Sequence, residues 1–156
     1  MDLTRRFTEQ QYAAALESWR WIGPEGKTPL FTSAFGDVFF RAADGIWWLD
    51  TLEGTLTRRW QALGDLQAEL NTAEGQDQYL LAGLALAAGQ AGLVPGTGQI
   101  LSFRHPPALG GQLDIGNVEV SDFVVAVNIA GQIRDQIRSL PTGTKITGIT
   151  VGGTPA

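Results

Sequence analysis

One histidine, His105, stands in the run "FRHPP". A catalytic triad needs such a base beside a nucleophile, with a third group to orient it. The chain carries no nucleophile-elbow motif to supply that partner, so His105 reads as a loop-edge or hydrogen-bonded structural residue. There is no cysteine. Thiolate catalysis, disulfides, iron–sulfur clusters and cysteine zinc sites are therefore excluded. Oxygen ligands for a hard cation remain, but Asp37, Asp44 and Asp50 are spaced across a hairpin and not around one loop, so they read as solvated turn and strand-edge acids. "GLVPGTGQ" offers Gly96 and Gly98 without the third glycine of a dinucleotide fingerprint or the Lys-Ser/Thr ending of a P-loop. The segment also precedes a strand, so no helix N-terminus waits there for an anion. No catalytic, cofactor-binding or metal-ligating residue is assigned, and no cofactor is expected; the chain does not read as an enzyme.

Aromatic density is the other candidate for chemistry. Phe35, Phe39, Phe40, Trp47 and Trp48 crowd into "FGDVFFRAADGIWWL", as they do where proteins stack bases. Single-strand binders interleave such rings with Lys and Arg. Here the acids Asp37, Asp44, Asp50 and Glu53 stand against Arg41 alone, and core packing is the better account.

The elements that place these rings follow from periodicity. "DVFFRA" alternates, sending Val38 and Phe40 to one face and Phe39 and Arg41 to the other. Asp44-Gly45 makes a tight turn into "IWWLDT", and Glu53-Gly54 turns again into "TLTRRW". Three strands so joined form an antiparallel meander. Its middle strand carries Trp47 on one face and Trp48 on the other, so both faces need cover.

A helix over 8–22 precedes the meander, capped by Thr8, with Tyr12, Leu16 and Trp19 in one stripe. "GPEGKTP" ends it. Trp60, Leu63, Leu66 and Leu70 predict a helix over about 58–71. "NTAEGQD" reads as a break, with Asp77 capping a further helix to about Ala91. "QILSFRH" reads as a strand, and "PPALGG" cannot be regular structure. "NVEVSDFVVAV" has strand composition. Ile129, Ile133, Ile137 and Leu140 predict a last long helix, and "TKITGITV" a short final strand. The fold class is α+β, an antiparallel sheet with helices packed on it, in a single domain over 1–156.

At 156 residues with a net charge of −5, the chain can bury a core without staples. Its acidity argues against direct nucleic-acid binding, which needs clustered Lys and Arg, and suits a basic protein partner. Neither a secretory signal nor a membrane span is legible, so a cytoplasmic location and no membrane partner are the expectation.

Two patches taken together add a resemblance. They contain Gly36-Asp37 before an aromatic strand, Asp44-Gly45 before a Trp/Leu-Asp strand, Pro107-Ala108-Leu109-Gly110-Gly111, and a Gly-Gln step (Gly131, Gln132) in the last helix. Over about 19–140 the chain resembles the C-terminal domain family of type VI secretion immunity proteins, the antidotes of secreted DNase effectors. In many members this domain follows a separate N-terminal domain, whereas one short helix precedes the match here. The segment 142–156 is then a C-terminal strand or tail.

The resemblance implies a non-catalytic protein that binds one cognate toxin with a basic cleft and occludes its active site. Acids projecting from the meander's turns and the next helix, Asp44, Glu53, Asp65 and Glu69, are the candidate contact residues. Trp47, Trp48, Trp60 and Leu109 are the expected structural core. The alternative is a small-molecule or regulatory binding domain using a pocket beside "HPPALGG".

Overall fold

The computed structural model describes residues 2–141, 148–149 and 151–152. Thr8 starts the first helix. Its hydroxyl accepts the Gln11 backbone N–H at 3.1 Å, and the Gln11 side chain accepts the Thr8 N–H at 2.9 Å, which satisfies two donors that a helix start leaves free. Helix α1 (Glu9–Leu16) then tightens into a 3₁₀ stretch, Glu17–Ile22, that ends at Gly23.

A five-stranded antiparallel sheet has its strands in simple order: β1 (Thr4–Arg5), which precedes α1, then β2 (Thr28–Ser33), β3 (Val38–Ala42), β4 (Gly45–Asp50) and β5 (Thr55–Trp60). The three strands read from the sequence are its last three. β2 was hidden by Pro29, which removes a ladder donor. The strand tolerates it because β1 pairs only with Thr32 and Ser33, and a register shift lies between Pro29 and Phe31. β1, at two residues, leaves no periodic signal.

Register places Phe40 opposite Trp47 and Phe39 opposite Trp48. Val38, Phe40 and Leu49 pack with Tyr12, Trp19, Phe123 and Val127 on one face of the sheet. Phe39, Ile46 and Trp48 pack with Trp60, Leu66 and Tyr79 on the other. Both faces of β4 are covered, as its two tryptophans require. Trp48 and Trp60 are buried. Trp47 is half-buried: its indole N–H donates to the Asp44 carboxylate at 2.8 Å and Lys27 Nζ sits 4.3 Å from its ring centre.

Downstream, the boundaries shift. The helix expected over 58–71 begins only at Leu63 (α2, Leu63–Leu70), because Arg58, Arg59 and Trp60 finish β5. "NTAEGQD" is no break. Thr72 caps α3 (Ala73–Leu80) by accepting the Gly75 N–H at 2.9 Å, so Asp77 lies inside a helix and caps nothing. The expected continuation to Ala91 is interrupted at Leu81, whose φ of 49° separates α3 from α4 (Ala82–Gln90).

β6 (Gln99–Phe103) and β7 (Val118–Asp122) form a separate two-stranded ribbon. Between them, Pro107–Leu109 is one turn of 3₁₀ helix, ended by Gly110 at φ 97°. Leu109 is half-buried and belongs to none of the core clusters, contrary to the core role expected of it. "NVEVSDFVVAV" is strand only to Asp122. The Asp122 carboxylate then accepts the Val125 N–H at 3.0 Å and caps α5 (Phe123–Ile137). Here a capping residue overrides the β-branched composition that follows it. Leu140 lies past the helix end and is exposed, and the final strand expected in "TKITGITV" falls largely outside the described residues.

The result is an α+β domain in layers. α1, the 3₁₀ stretch and α5 cover one face of the meander, α2 and α3 the other, and α4 backs the ribbon through Ala85, Ala88, Leu101 and Val118. Trp48→Ala is expected to cost about 3–5 kcal/mol and Trp47→Ala about 1–2 kcal/mol. Urea denaturation of the two variants checks the ranking, and equal losses would contradict the assigned burial.

Candidate functional site

The turn from β2 to β3 carries Gly36 at φ 90°. A Cβ there would lie 2.8 Å from Ile100 of β6 and 2.9 Å from Val127 of α5, so glycine answers both the backbone conformation and the close approach. The ribbon is tied to the same turn by the Leu101 N–H, which donates to the Ala34 carbonyl at 2.8 Å.

Asp37 follows and is buried, against the solvated role read from its sequence position. One carboxylate oxygen accepts the Thr51 N–H at 2.8 Å and the Thr51 hydroxyl at 2.7 Å, and the other accepts the Ser33 hydroxyl at 3.2 Å. These bonds lash the β2–β3 turn to the β4–β5 turn. Burial, and then the nearby Asp50 charge, push the Asp37 carboxyl up from 3.8 to about 6, with the hydrogen bonds opposing. Asp50 is half-buried and its carboxyl is also raised, again chiefly by burial. It accepts the Leu52 and Glu53 N–H groups at 3.0 and 3.2 Å, which shapes the turn.

Around this junction lies a groove of about 320 Å³. Val125, Ile129 and Ile133 of α5 line it on one side, Ser102, Glu119 and Ser121 of the ribbon on another, and Thr51 and Leu52 of the β4–β5 turn also contribute. Phe103, Pro106 and Pro107 bring in the "HPPALGG" loop. The groove's polar groups are largely engaged with one another. The Ser102 and Ser121 hydroxyls meet at 2.6 Å, Arg134 donates to the Leu52 carbonyl, and Arg104 faces Glu119 at 3.8 Å. The loop itself is held by Asn117, which accepts the His105 N–H at 2.9 Å and donates to the His105 and Gln112 carbonyls. The His105 ring contacts the Leu109 carbonyl at 3.0 Å, on the exposed side of the loop.

The four acids chosen as contacts do not converge. Asp44 precedes β4 and Glu53 follows it, so they sit at opposite ends of a strand roughly 16 Å long. Asp44 is exposed, but the Trp47 N–H holds its carboxyl below the usual range, with Arg58 and Lys27 close by. The turn is thus not an acidic projection. Asp65 accepts the Ala62 N–H at 3.1 Å at the start of α2, and Glu69 is half-buried near Tyr79.

The groove residues Ser102, Glu119, Ser121 and Arg134 were not selected from the sequence. Alternation in "ILSF" and "VEVSD" does put Ser102, Glu119 and Ser121 on one strand face, but only the register joins them. Among the described residues, no group of three His, Asp or Glu side chains is placed to hold a metal ion, and no helix is long and apolar enough to cross a membrane.

No family model matches the chain, and no curated protein matches it. Among solved structures it is similar to the crystal structure of Atu4351 from Agrobacterium tumefaciens, at 24% identity and a TM-score of 0.46. The match covers 79% of this chain and 62% of that one, so the chain spans less than two thirds of that protein.

Asp37 sets a pH dependence of defined sign. Its folded pKa is raised, so its contribution to stability is full below pH 4 and is lost as pH rises through 6. The difference amounts to about 3 kcal/mol. Asp37→Asn keeps an acceptor for Thr51 and removes the titration. Urea denaturation from pH 4 to 7 should show the parent losing about 3 kcal/mol relative to that variant. A constant difference between the two would mean that Asp37 titrates normally.

Proposed function

We propose that the chain is a non-catalytic immunity-type protein that binds a cognate secreted toxin, a nuclease delivered by type VI secretion, and blocks its active site. The observation that carries the proposal is the groove beside the "HPPALGG" loop. Its lining is mainly apolar, and most of its polar groups are hydrogen-bonded or paired with one another, the buried Arg134 Nε being the exception. Such a surface suits receiving a partner more than acting on a bond, since catalysis needs groups left free to meet a reacting atom.

The sequence resemblance points the same way, and its elements lie at the tight junctions of the fold. Gly36 abuts Ile100 and Val127, Asp37 ties two turns together, and Gly131 faces Ser18 and Trp19 so closely that no side chain fits between them. The net charge of −5 favours approach to a nuclease, whose substrate demands a positive cleft. A cytoplasmic location follows from this role, because an antidote protects the cell that makes the toxin.

A second reading has a specific observation behind it. At about 320 Å³ the groove is at the lower end of the size range of small-molecule sites, so a regulatory ligand is the alternative occupant.

Co-expression with the product of the adjacent gene separates the two. The immunity role requires rescue of growth and co-purification of the pair. Lack of rescue, with a small molecule retained by the purified protein in native mass spectrometry, would establish the alternative.

A further inference from the structure

Between Asp77 and Arg104 the sequence has no charged residue, and α4 lies inside that stretch. Its inner face, Ala82, Ala85 and Ala88, backs the ribbon. Its outer face presents Gly83, Leu86 and Gln90 to solvent, and Val94 follows just past its end. Leu86 is 46% exposed and Val94 64%. A surface helix turns charged side chains outward, and a helix apolar on all sides is normally buried. We infer that α4 packs against α4 of a second copy of this chain, in a two-fold dimer formed through Leu86 and Val94. This goes beyond the immunity reading and does not depend on it.

What selects a second copy is the charge beside this face. Leu86, Gly89, Val94 and Pro95 line a shallow hollow, and Asp2 and Arg5 add one acid and one base to its lining. Neither has an ion pair among the described residues. The Arg5 guanidinium donates to the Gly96 carbonyl at 2.6 Å, which fixes it beside the loop after α4, and its Nε is buried without a hydrogen-bond partner. In a two-fold contact, residue i of one copy meets j of the other and j meets i. An acid and a base on one hollow therefore answer each other twice, Asp2 to Arg5 and Arg5 to Asp2. A strongly basic or strongly acidic partner would meet one of them with like charge. The rest of the face is uncharged, so two chains of net charge −5 can join there without opposing like charges.

The helix is also shaped for close approach. A Cβ added at Gly83 would meet nothing within 4 Å, so the outer side of α4 is bare backbone one turn before Leu86. Helices with small residues at their contact pack with axes toward the short end of the range of about 8–10 Å. Leu86 of each copy then fills the space left at Gly83 of the other. An apolar centre flanked by charge pairs is the arrangement by which a small contact gains most of its affinity.

Sedimentation velocity over a concentration series tests this. The parent should reach the mass of two chains. Leu86→Glu and Val94→Glu each put a carboxylate into the contact, and either should weaken dimerisation at least about 30-fold. Both sites are open to solvent in the single chain, so neither variant should melt earlier than the monomeric parent. The outlying pairs are tested by exchange of charge. Asp2→Arg alone sets like charge against Arg5 of the other copy, and Arg5→Glu alone does the same against Asp2, so each variant by itself should be monomeric. Mixed in equal amounts, the two restore both pairs and should form a heterodimer. Misfolding cannot produce that rescue.

A parent that stays monomeric at its highest soluble concentration would overturn the inference, as would a dimer indifferent to Leu86→Glu and Val94→Glu. Charge-exchanged variants that stay monomeric when mixed would overturn the two-fold arrangement. A monomeric parent whose binding to the adjacent-gene nuclease is lost in the two Glu variants would assign the α4 face to the toxin in place of a second copy. Each of these outcomes leaves the immunity reading to its own co-expression test.

Discussion

The meander, the ribbon and the long C-terminal helix meet at two consecutive residues. Gly36 lets β6 and α5 approach the β2–β3 turn to van der Waals contact, and Asp37 ties that turn to the one between β4 and β5. Any side chain at 36 would be strained at φ 90° and would press on the ends of the Ile100 and Val127 side chains. Any group at 37 unable to accept from Thr51 would leave buried donors unpaired, at a cost of about 1–3 kcal/mol. The carboxylate that does this work is buried beside a second one and has no ion pair among the described residues. Burial, and then the Asp50 charge beside it, raise its pKa.

The groove is a consequence of this junction. The ribbon is two-faced: Leu101 and Val118 turn toward α4, while Ile100, Ser102, Glu119 and Ser121 turn toward α5. α5 leaves the ribbon at the Asp122 cap and packs on α1 and the 3₁₀ stretch. Trp19 donates to the Val127 carbonyl at 2.8 Å, and Ser18 to the Asn128 carbonyl at 2.6 Å. These bonds hold the first half of α5 against the N-terminal helices, and the groove lies between α5 and the ribbon.

What the sequence disclosed follows the range of the interactions involved. The three central strands were legible because alternation and Asp-Gly or Glu-Gly turns are local, and Thr8 was legible as a cap for the same reason. The boundary errors arose where a local cue was overridden. "NTAEGQD" looks like a breaker, yet Thr72 caps through it, and "FVVAV" looks like strand, yet Asp122 starts a helix before it. The burial of Asp37 and the juxtaposition of Ser102 with Ser121 depend on partners 14 and 19 residues away. No single-sequence period encodes those pairings. Leu109 failed as an anchor because its loop is held by Asn117, whose side chain performs the anchoring that was assigned to an apolar residue.

The bond from Trp19 to Val127 also spans 108 residues, and that separation orders the assembly of the molecule. From β2 to β5 the sheet joins strands that are neighbours in the chain, so its closure costs little loop entropy and can be early. α1 has no such neighbour. During synthesis from the N-terminus, Tyr12 and Trp19 leave the ribosome more than a hundred residues before Phe123 and Val127 that bury them. One face of the newly formed sheet is therefore without its α5 cover until the last helix emerges. The nascent chain carries an exposed aromatic surface until α5 emerges, and the docking of that helix removes it.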